Sequence, residues 1–215
     1  MEAAGPLLGG MKPPALTLLF AVAYLALPMT GIVLIGGQST RFGADKVVAR
    51  VGPTVLIERV VETLAPLFHE VILIGHRRKG LQGYRVVEDL VPGSGPLGGI
   101  YTALSIAKTP RCFVFAGDMP NLNQALIRHM MEMEVDHDAL VPLWSRGKEP
   151  LHAIYQRRVM PVVESMLERG ILRTLDLLEN VNTVLVPEEV IRAYGDPQVV
   201  FANVNTLQDL DRIRT

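Results

Sequence analysis

Short apolar runs alternate with helical patterns along the chain from Gly31 onward. Continuous runs rich in β-branched or aromatic residues predict buried strands of a parallel sheet at 31–35 (GIVLI), 71–75 (VILIG) and 112–116 (CFVFA). A further, shorter strand is predicted at 84–88 (YRVVE). Between them, apolar residues recur at helical spacing, first after Pro53 and then after Pro96. The first half of the chain therefore predicts strands joined by helices.

The second half of the chain continues this alternation with shorter elements. The patterns predict helices at 123–133, 158–169 and 174–179, strands at 138–143, 151–156, 183–186 and 199–202, and a final helix capped by Thr206. Strands that alternate with helices favour a sheet covered on both faces. We therefore expect an α/β fold with a single three-layer αβα domain and a mainly parallel, Rossmann-like sheet.

An apolar segment near the N-terminus stands outside this pattern. Residues 15–29 (ALTLLFAVAYLALPM) resemble the hydrophobic part of a signal peptide, and they are too short for a confident membrane span. Because Met29 stands directly before the first predicted strand, we expect translation to begin there. Residues 1–28 are then an extension and 29–215 the functional domain. A cleaved leader and a membrane anchor are the alternatives.

Composition narrows the classes of partner. The chain has 215 residues, of which 49% are hydrophobic, and its formal net charge is −1. This charge gives no general attraction to nucleic acid or to anionic membranes, so a polyanionic ligand needs local basic groups. The single cysteine, Cys112, cannot form an internal disulfide. We expect a cytoplasmic protein that binds neither nucleic acid nor membrane.

The first loop that carries candidate functional residues follows the first predicted strand. In parallel α/β sheets, ligands bind beyond the carboxyl ends of the strands. Gly36 and Gly37 allow main-chain N–H groups to converge on phosphate oxygens, and Arg41 and Lys46 supply positive charge. No Ser or Thr follows Lys46 and no G-x-G-x-x-G is present, which excludes a Walker A loop and a dinucleotide fingerprint.

Two further loops each carry an aspartate close to the end of the preceding strand. Asp89 opens a second glycine-rich loop (88–99) that leads into a helix N-terminus, where its carboxylate can accept hydrogen bonds from a base or a sugar. Asp118 follows the most apolar strand, and a carboxylate placed there near phosphates predicts Mg²⁺. A helix cap is the alternative for Asp118, but Pro120 and Asn121 intervene before the next helix.

The order of these motifs carries a resemblance to a known family. Residues 34–46 resemble the signature L-x-G-G-x-S-x-R-x-G-x-D-K of nucleotidyltransferases that share a sugar-nucleotide pyrophosphorylase fold. Four more motifs resemble molybdenum cofactor guanylyltransferases in particular: D-x-x-P-G-x-G-P-L-x-G at 89–99, G-D-M-P at 117–120, E-P-L-H-A-I-Y at 149–155 and N-V-N-T at 203–206. Five motifs in order are far more specific than one loop.

This resemblance implies a nucleotide-diphospho-sugar transferase type of fold and magnesium-dependent transfer of GMP from GTP to molybdopterin. The nucleotide-binding residues that it implies are Leu34, Ile35, Gly36, Gly37, Lys46, Asp89 and Asp118. It implies catalytic charge stabilisation by Arg41, Lys46 and Asp118, and Mg²⁺ ligands in Asp118 and Asn205. It also implies that the segment 149–155 faces the pterin, with His152 as the candidate contact. Candidate further partners are molybdoenzyme apoproteins or their chaperones.

Some positions depart from the family pattern. Ile35, Phe42 and Gly117 stand where alanine, methionine and cysteine are common, and His76-Arg77 replaces a common Asn-Arg pair. Gly36-Gly37 and Pro96-Leu97 resemble the guanylyl form more than its cytidylyl relatives, and this resemblance favours GTP over CTP. The alternatives that stay open are a cytidylyltransferase or sugar-nucleotide pyrophosphorylase on the same fold, and a non-catalytic nucleotide-binding protein.

Overall fold

The computed structural model describes residues 28–36, 49–51, 54–133, 135–204 and 209. The strands are β1 (Met29–Leu34), β2 (Arg50–Val51), β3 (Thr54–Val55), β4 (Val71–Ile74), β5 (Val86–Val87), β6 (Arg111–Ala116), β7 (Ala139–Trp144), β8 (Gly147–Lys148), β9 (His152–Gln156) and β10 (Thr183–Val186). The helices are α1 (Leu56–Leu64), α2 (Gly95–Ile106), α3 (Gln124–Glu132), α4 (Met160–Glu168), α5 (Thr174–Glu179), α6 (Glu188–Arg192) and α7 (Pro197–Val200).

One large sheet organises the molecule. Within the described part of the chain, its strands lie in the order β10-β7-β9-β6-β1-β4-β5, with β8 paired to β7. Strand β1 is parallel to both β4 and β6, and β4–β5 and β7–β10 are also parallel pairs. Strand β9 runs antiparallel between β6 and β7. The sheet is thus mainly parallel, which confirms the predicted α/β class.

Two apolar layers cover the sheet. Helices α1, α3, α6 and α7 pack on one face, and α2, α4 and α5 pack on the other. Strand residues alternate between these layers: Val33 faces the first and Ile32 the second, and both are fully buried. The three-layer arrangement is therefore the one predicted. Within the described residues, no helix is long and apolar enough to cross a bilayer.

The predicted strand at 199–202 is wrong. Residues 197–200 form helix α7 instead, because Pro197 lies in its first turn and Asp196 caps it, accepting a hydrogen bond from Gln198 N at 3.0 Å. The β-branched pair Val199 and Val200 had favoured a strand. Thr206, the predicted cap of a final helix, lies outside the described residues.

Several element boundaries also differ from the prediction. The helix expected after Pro53 begins at Leu56, because Thr54 and Val55 pair with the preceding two-residue strand. The predicted helix at 158–169 divides into a 3₁₀ turn, Arg157–Val159, and helix α4. Helix α3 begins one residue later than expected, directly after Asn123. These shifts leave the sheet and its carboxyl edge unchanged.

Candidate active site

The carboxyl ends of the three central strands meet at one level. In register, Leu34 lies opposite both Ile74 and Ala116. Gly117 N donates to Leu34 O at 2.9 Å, and Ile35 N donates to Ile74 O at 2.8 Å. The strand order changes direction at β1, because β4 and β5 lie on one side of β1 and β6 lies on the other. Such a switch point is where α/β sheets bind ligands.

Two glycines line this level. A Cβ atom on Gly75 would lie 2.8 Å from Gly36 N, and one on Gly117 would lie 2.9 Å from Leu34 O. Gly75 also has a φ of +147°, which residues with side chains rarely adopt. Gly75 therefore requires glycine, and at Gly117 the absence of a side chain lets the loop approach the carbonyl of Leu34 closely.

The structure describes the first three of the predicted main-chain contacts. Leu34, Ile35 and Gly36 end β1, with the Ile35 side chain buried and Gly36 exposed. The main chain of Ile35 is engaged within the protein, because its N–H donates to Ile74 O at 2.8 Å and its carbonyl accepts from Arg78 Nη2 at 3.0 Å. Its contact with a nucleotide stays a prediction. Gly37, Arg41, Lys46 and Asn205 lie outside the described residues.

Asp118 follows β6 at the same level. Its main-chain carbonyl accepts a hydrogen bond from Val204 N at 2.9 Å, which ties the C-terminal segment to this loop. The cap of helix α3 is Asn123, whose Oδ1 accepts from Ala125 N at 2.9 Å and Leu126 N at 3.0 Å. The alternative of Asp118 as a helix cap is therefore excluded.

Asp89 is held by its own loop. Its Oδ1 accepts a hydrogen bond from Val91 N at 3.0 Å and lies 2.8 Å from the hydroxyl of Thr102 in α2. Leu90 N donates to that same hydroxyl at 3.0 Å. A Cβ atom on Gly98 would lie 3.2 Å from Asp89 Oδ2 and 2.9 Å from the carbonyl of Val91. Asp89 thus fixes the glycine-rich loop onto the start of α2.

Arg78 is a site residue that sequence reasoning missed. Its guanidinium donates from Nη2 to Ile35 O at 3.0 Å, across the gap between the ends of β4 and β1. The sequence interpretation considered His76 and Arg77, both of which are exposed. The available signal was the run of four basic residues at 76–79, after β4, but a run does not tell which member turns inward.

The structure places His152 in the core. Its side chain is fully buried, with ring centroids 5.4 Å from Phe113, 5.3 Å from Phe115 and 5.1 Å from Phe201. Burial lowers its pKa from 6.5 to about 3. Within the described residues, neither ring nitrogen has a hydrogen-bond partner. The predicted contact with the pterin therefore needs correction, because strand alternation turns His152 towards the α1/α3 layer.

Glu149 is the titratable group of that motif that lies nearer the carboxyl edge. It follows the β7–β8 hairpin, and its Oε1 accepts a hydrogen bond from Trp144 Nε1 at 2.7 Å. Burial raises the pKa of Glu149. The Arg146 guanidinium lies 5.4 Å from the centroid of the Trp144 ring, which also packs against Phe201. The motif was quoted from the sequence, but its half-buried carboxyl group was not singled out.

The described residues at this edge fit a divalent metal that is held mainly by its substrate. Among the described residues, no group of three or more His, Cys, Asp or Glu side chains forms a metal cage. Magnesium is usually held by one or two carboxylates together with substrate phosphates and water. A single carboxylate, Asp118, beside the strand end that leads into a glycine-rich loop fits this pattern.

The sequence is similar to a known protein family and to several of its members. Residues 31–183 match the family model of the MobA-like NTP transferase domain. The chain is 40% identical over 190 residues to a probable molybdenum cofactor guanylyltransferase from Pelotomaculum thermopropionicum, covering 87% of this chain and 93% of the relative. It is 36% identical over 197 residues to a protein of the same name from Pyrococcus furiosus, covering 86% and 96%.

Two solved structures extend the comparison. Molybdopterin-guanine dinucleotide biosynthesis protein A from Archaeoglobus fulgidus has a TM-score of 0.75 at 29% identity, covering 86% of this chain and 97% of that one. 2-C-methyl-D-erythritol 4-phosphate cytidylyltransferase from Thermus thermophilus has a TM-score of 0.60 at 15% identity, covering 85% and 96%. The second likeness shows the fold alone.

Proposed function

The chain belongs to the family of MobA-like NTP transferases, and from this premise we propose that it transfers GMP from GTP to molybdopterin and releases pyrophosphate. Relatives at up to 40% identity carry the name molybdenum cofactor guanylyltransferase. The product is then the guanine dinucleotide form of the molybdenum cofactor. The enzyme class is nucleotidyltransferase.

One observation carries this proposal. The loop that carries Asp118 follows β6 and is hydrogen-bonded to the end of β1, through Gly117 N and Leu34 O at 2.9 Å. This bond supports the proposal, because the chain leaves the carboxyl edge towards Asp118 and towards the glycine-rich sequence after Leu34 from neighbouring points. This is the juxtaposition that a nucleoside triphosphate requires.

The reaction that we propose is an in-line displacement. A terminal phosphate oxygen of molybdopterin forms a bond to the α-phosphorus of GTP, and the bond to the bridging oxygen breaks as pyrophosphate leaves. Both reactants are anions, so the protein contributes positioning and neutralisation of charge rather than a nucleophile. We assign to Arg41 and Lys46 the stabilisation of charge on the transferred and leaving phosphates.

Magnesium is the cofactor that we propose, with Asp118 and Asn205 as its protein ligands. When bound, it would supply charge neutralisation to the phosphate oxygens. The hydrogen bond from Val204 N to Asp118 O supports this pairing, because it fixes the residue that precedes Asn205 against the Asp118 loop.

The nucleoside side of the site is built from three strand ends. We propose that the main chain of Leu34–Gly37 contacts the guanine nucleotide and that Asp89 contacts it through the oxygen that its own loop leaves unused. Within the described residues, Asp89 Oδ2 accepts no hydrogen bond, whereas Oδ1 has two neighbouring donors. Arg78 positions this region through its bond to Ile35 O.

The molybdopterin side lies along the β7–β8 hairpin and the start of β9. We propose that residues 149–155 border it through Glu149, with His152 as support from beneath. His152 packs against Phe201, three residues before Val204, which holds the Asp118 carbonyl. His152 therefore braces the C-terminal segment without touching substrate.

The domain, location and partners follow from this function. We propose that residues 29–215 form the catalytic domain, supported by a family match that begins at residue 31. GTP and molybdopterin are cytosolic ligands, so we propose a cytoplasmic enzyme. Molybdoenzyme apoproteins or their chaperones are proposed recipients of the product.

The testing experiment measures pyrophosphate released from GTP with and without added molybdopterin. We expect release that depends on molybdopterin and on Mg²⁺, and that stops in Asp118→Ala while the variant keeps its thermal melting profile. Calorimetric titration with GTP, CTP and UTP separates the guanylyl from the cytidylyl alternative. Tight nucleotide binding without any pyrophosphate release would instead favour a non-catalytic binding protein.

A further inference from the structure

A surface pocket lies at the opposite edge of the sheet from Asp118. It is an open pocket of about 440 Å³ lined by Lys108, Thr109, Pro110, Gln156, Arg157 and Arg158. Residues 108–110 directly precede β6. Gln156 is the last residue of β9, and Arg157 and Arg158 follow it. Strands β9 and β6 are antiparallel neighbours. The pocket therefore sits at the amino end of the parallel strands.

The length of β6 separates this pocket from the proposed active site. Strand β6 has six residues, and Asp118 follows it by two. At a rise of about 3.3 Å per residue, the two sites are roughly 20 Å apart. A ligand of metabolite size cannot occupy both at once.

The main-chain frame of the pocket is fixed. Arg157 N donates to Pro110 O at 2.8 Å, which joins the two lining segments. The Thr109 hydroxyl lies 2.8 Å from that of Thr30 and 2.8 Å from Arg111 O. These bonds hold the pocket in shape without a ligand.

Two of the three lining cations lack acidic partners. Arg158 is committed, with bonds from Nε to Asp138 Oδ1 at 2.6 Å and from Nη2 to Asp136 Oδ1 at 2.9 Å. Lys108 and Arg157 are exposed and make no ion pair within the described residues. The pocket is thus locally cationic on a chain whose formal net charge is −1.

The lining residues also indicate the class of ligand. An ammonium, a guanidinium fork and the Gln156 amide can all donate hydrogen bonds, as phosphate and carboxylate oxygens require. None of the described residues that line the pocket is aromatic, so a nucleobase would find no stacking surface. The volume lies in the range of roughly 300 to 1,000 Å³ that is typical of small-molecule sites.

We propose that this pocket binds a free, non-aromatic polyanion of metabolite size that carries two or more phosphate or carboxylate groups. Lys108 and Arg157 supply its charge recognition, and Gln156 supplies a further donor. The site is independent of the guanylyl transfer proposed for the opposite edge.

Calorimetric titration with two probes tests this proposal on the full chain in metal-free buffer at low salt. Tripolyphosphate is the phosphate probe and citrate the carboxylate probe. We expect the double variant Lys108→Gln/Arg157→Gln to lose at least about tenfold in affinity for one or both probes, and the loss identifies the preferred group. Arg128→Gln, which removes an exposed cation on α3, should bind like the wild type.

A further variant separates this site from the nucleotide loop. Lys46→Ala should still bind the probes at the pocket, with the affinity that the double variant loses. The double variant should keep the wild-type affinity for GTP and the wild-type melting temperature. The proposal is overturned if the double variant binds both probes as tightly as the wild type. It is equally overturned if Lys46→Ala alone removes all probe binding, or if an oligo-glutamate peptide binds and neither small probe does.

Discussion

The loops of Asp89 and Asp118 both place a carboxylate just beyond a parallel strand, yet the fold uses the two residues differently. The Asp89 side chain holds its own loop, through Val91 N and the Thr102 hydroxyl. Asp118 is held through its main-chain carbonyl, by Val204 N. An aspartate at a strand end can thus be fixed through its side-chain carboxylate, as Asp89 is, or through its main-chain carbonyl, as Asp118 is.

The largest expected effect tests the Asp118 side of this comparison. Asp118→Asn keeps the shape of the side chain and the main-chain bond to Val204, but it removes the charge that would hold Mg²⁺. We expect kcat to fall by about a thousandfold, roughly 4 kcal/mol in transition-state stabilisation, since metal anchoring and charge neutralisation carry this reaction. Steady-state pyrophosphate release measures it.

The same variant should melt within a few degrees of the wild type. A large loss of stability with little loss of kcat would instead mean that the Asp118 side chain serves the fold, and the contrast with Asp89 would disappear.

The second effect concerns the support beneath the Asp118 loop. His152 is neutral when folded, because burial lowers its pKa from 6.5 to about 3. Between pH 6.5 and about pH 3, the unfolded chain binds a proton at this histidine and the folded chain does not. The free energy of unfolding is therefore unaffected by His152 above pH 6.5 and falls as the pH drops towards 3. We expect a loss of about 1.4 kcal/mol per pH unit in that window.

His152→Phe should flatten this dependence in denaturant titrations at several pH values. Part of the slope should remain, because burial also lowers the pKa of His137. His69→Gln, which changes an exposed histidine, is the control and should keep the full slope. An unchanged slope in His152→Phe would contradict the buried, neutral state of His152.

A third, smaller effect tests the Asp89 side. Asp89→Ala removes the acceptor for Val91 N and the neighbour of the Thr102 hydroxyl. We expect a loss of about 1 to 2 kcal/mol in the free energy of unfolding, since Asp89 is only partly buried. Asp89→Asn retains an oxygen acceptor, so it should lose less than half of that amount in chemical denaturation.

Equal stability of Asp89→Ala and the wild type would show that Asp89 does not fix its loop. The two aspartates would then no longer differ in the way that the hydrogen bonds indicate.

The smallest effect concerns Arg78, which bridges the ends of β4 and β1. Arg78→Met removes the bond to Ile35 O, so we expect KM for GTP to rise by about three- to tenfold with a smaller change in kcat. Arg77→Met is the matched control, because Arg77 is the adjacent residue and its side chain is exposed. A larger effect from Arg77 than from Arg78 would reverse the assignment.

The sequence predicts the sheet well because its central strands are continuous apolar runs. Those at 31–35, 71–75 and 112–116 all appear in the structure, and each ends at a glycine or just before one. The antiparallel direction of β9 was not predicted, since apolar patterning carries no information on strand direction. The helix at Pro197 was missed because a β-branched pair outweighed its cap.

The sequence predicted the positions of candidate residues where these depend on a single loop. Asp89 and Asp118 lie at strand ends as expected, because a strand that stops at Gly117 delivers the next residue to the carboxyl edge. His152 was misassigned because the motif shows that a histidine is present but not which face of β9 it occupies. Arg78 was missed because its role depends on a contact with Ile35, which is 43 residues away.

The most direct test of the central claim is a crystal structure with bound GTP and Mg²⁺. We expect the triphosphate to lie between the loop that follows Gly36 and the carboxylate of Asp118, with the metal on Asp118. A nucleotide bound elsewhere, with Asp118 contacting neither metal nor phosphate, would contradict it.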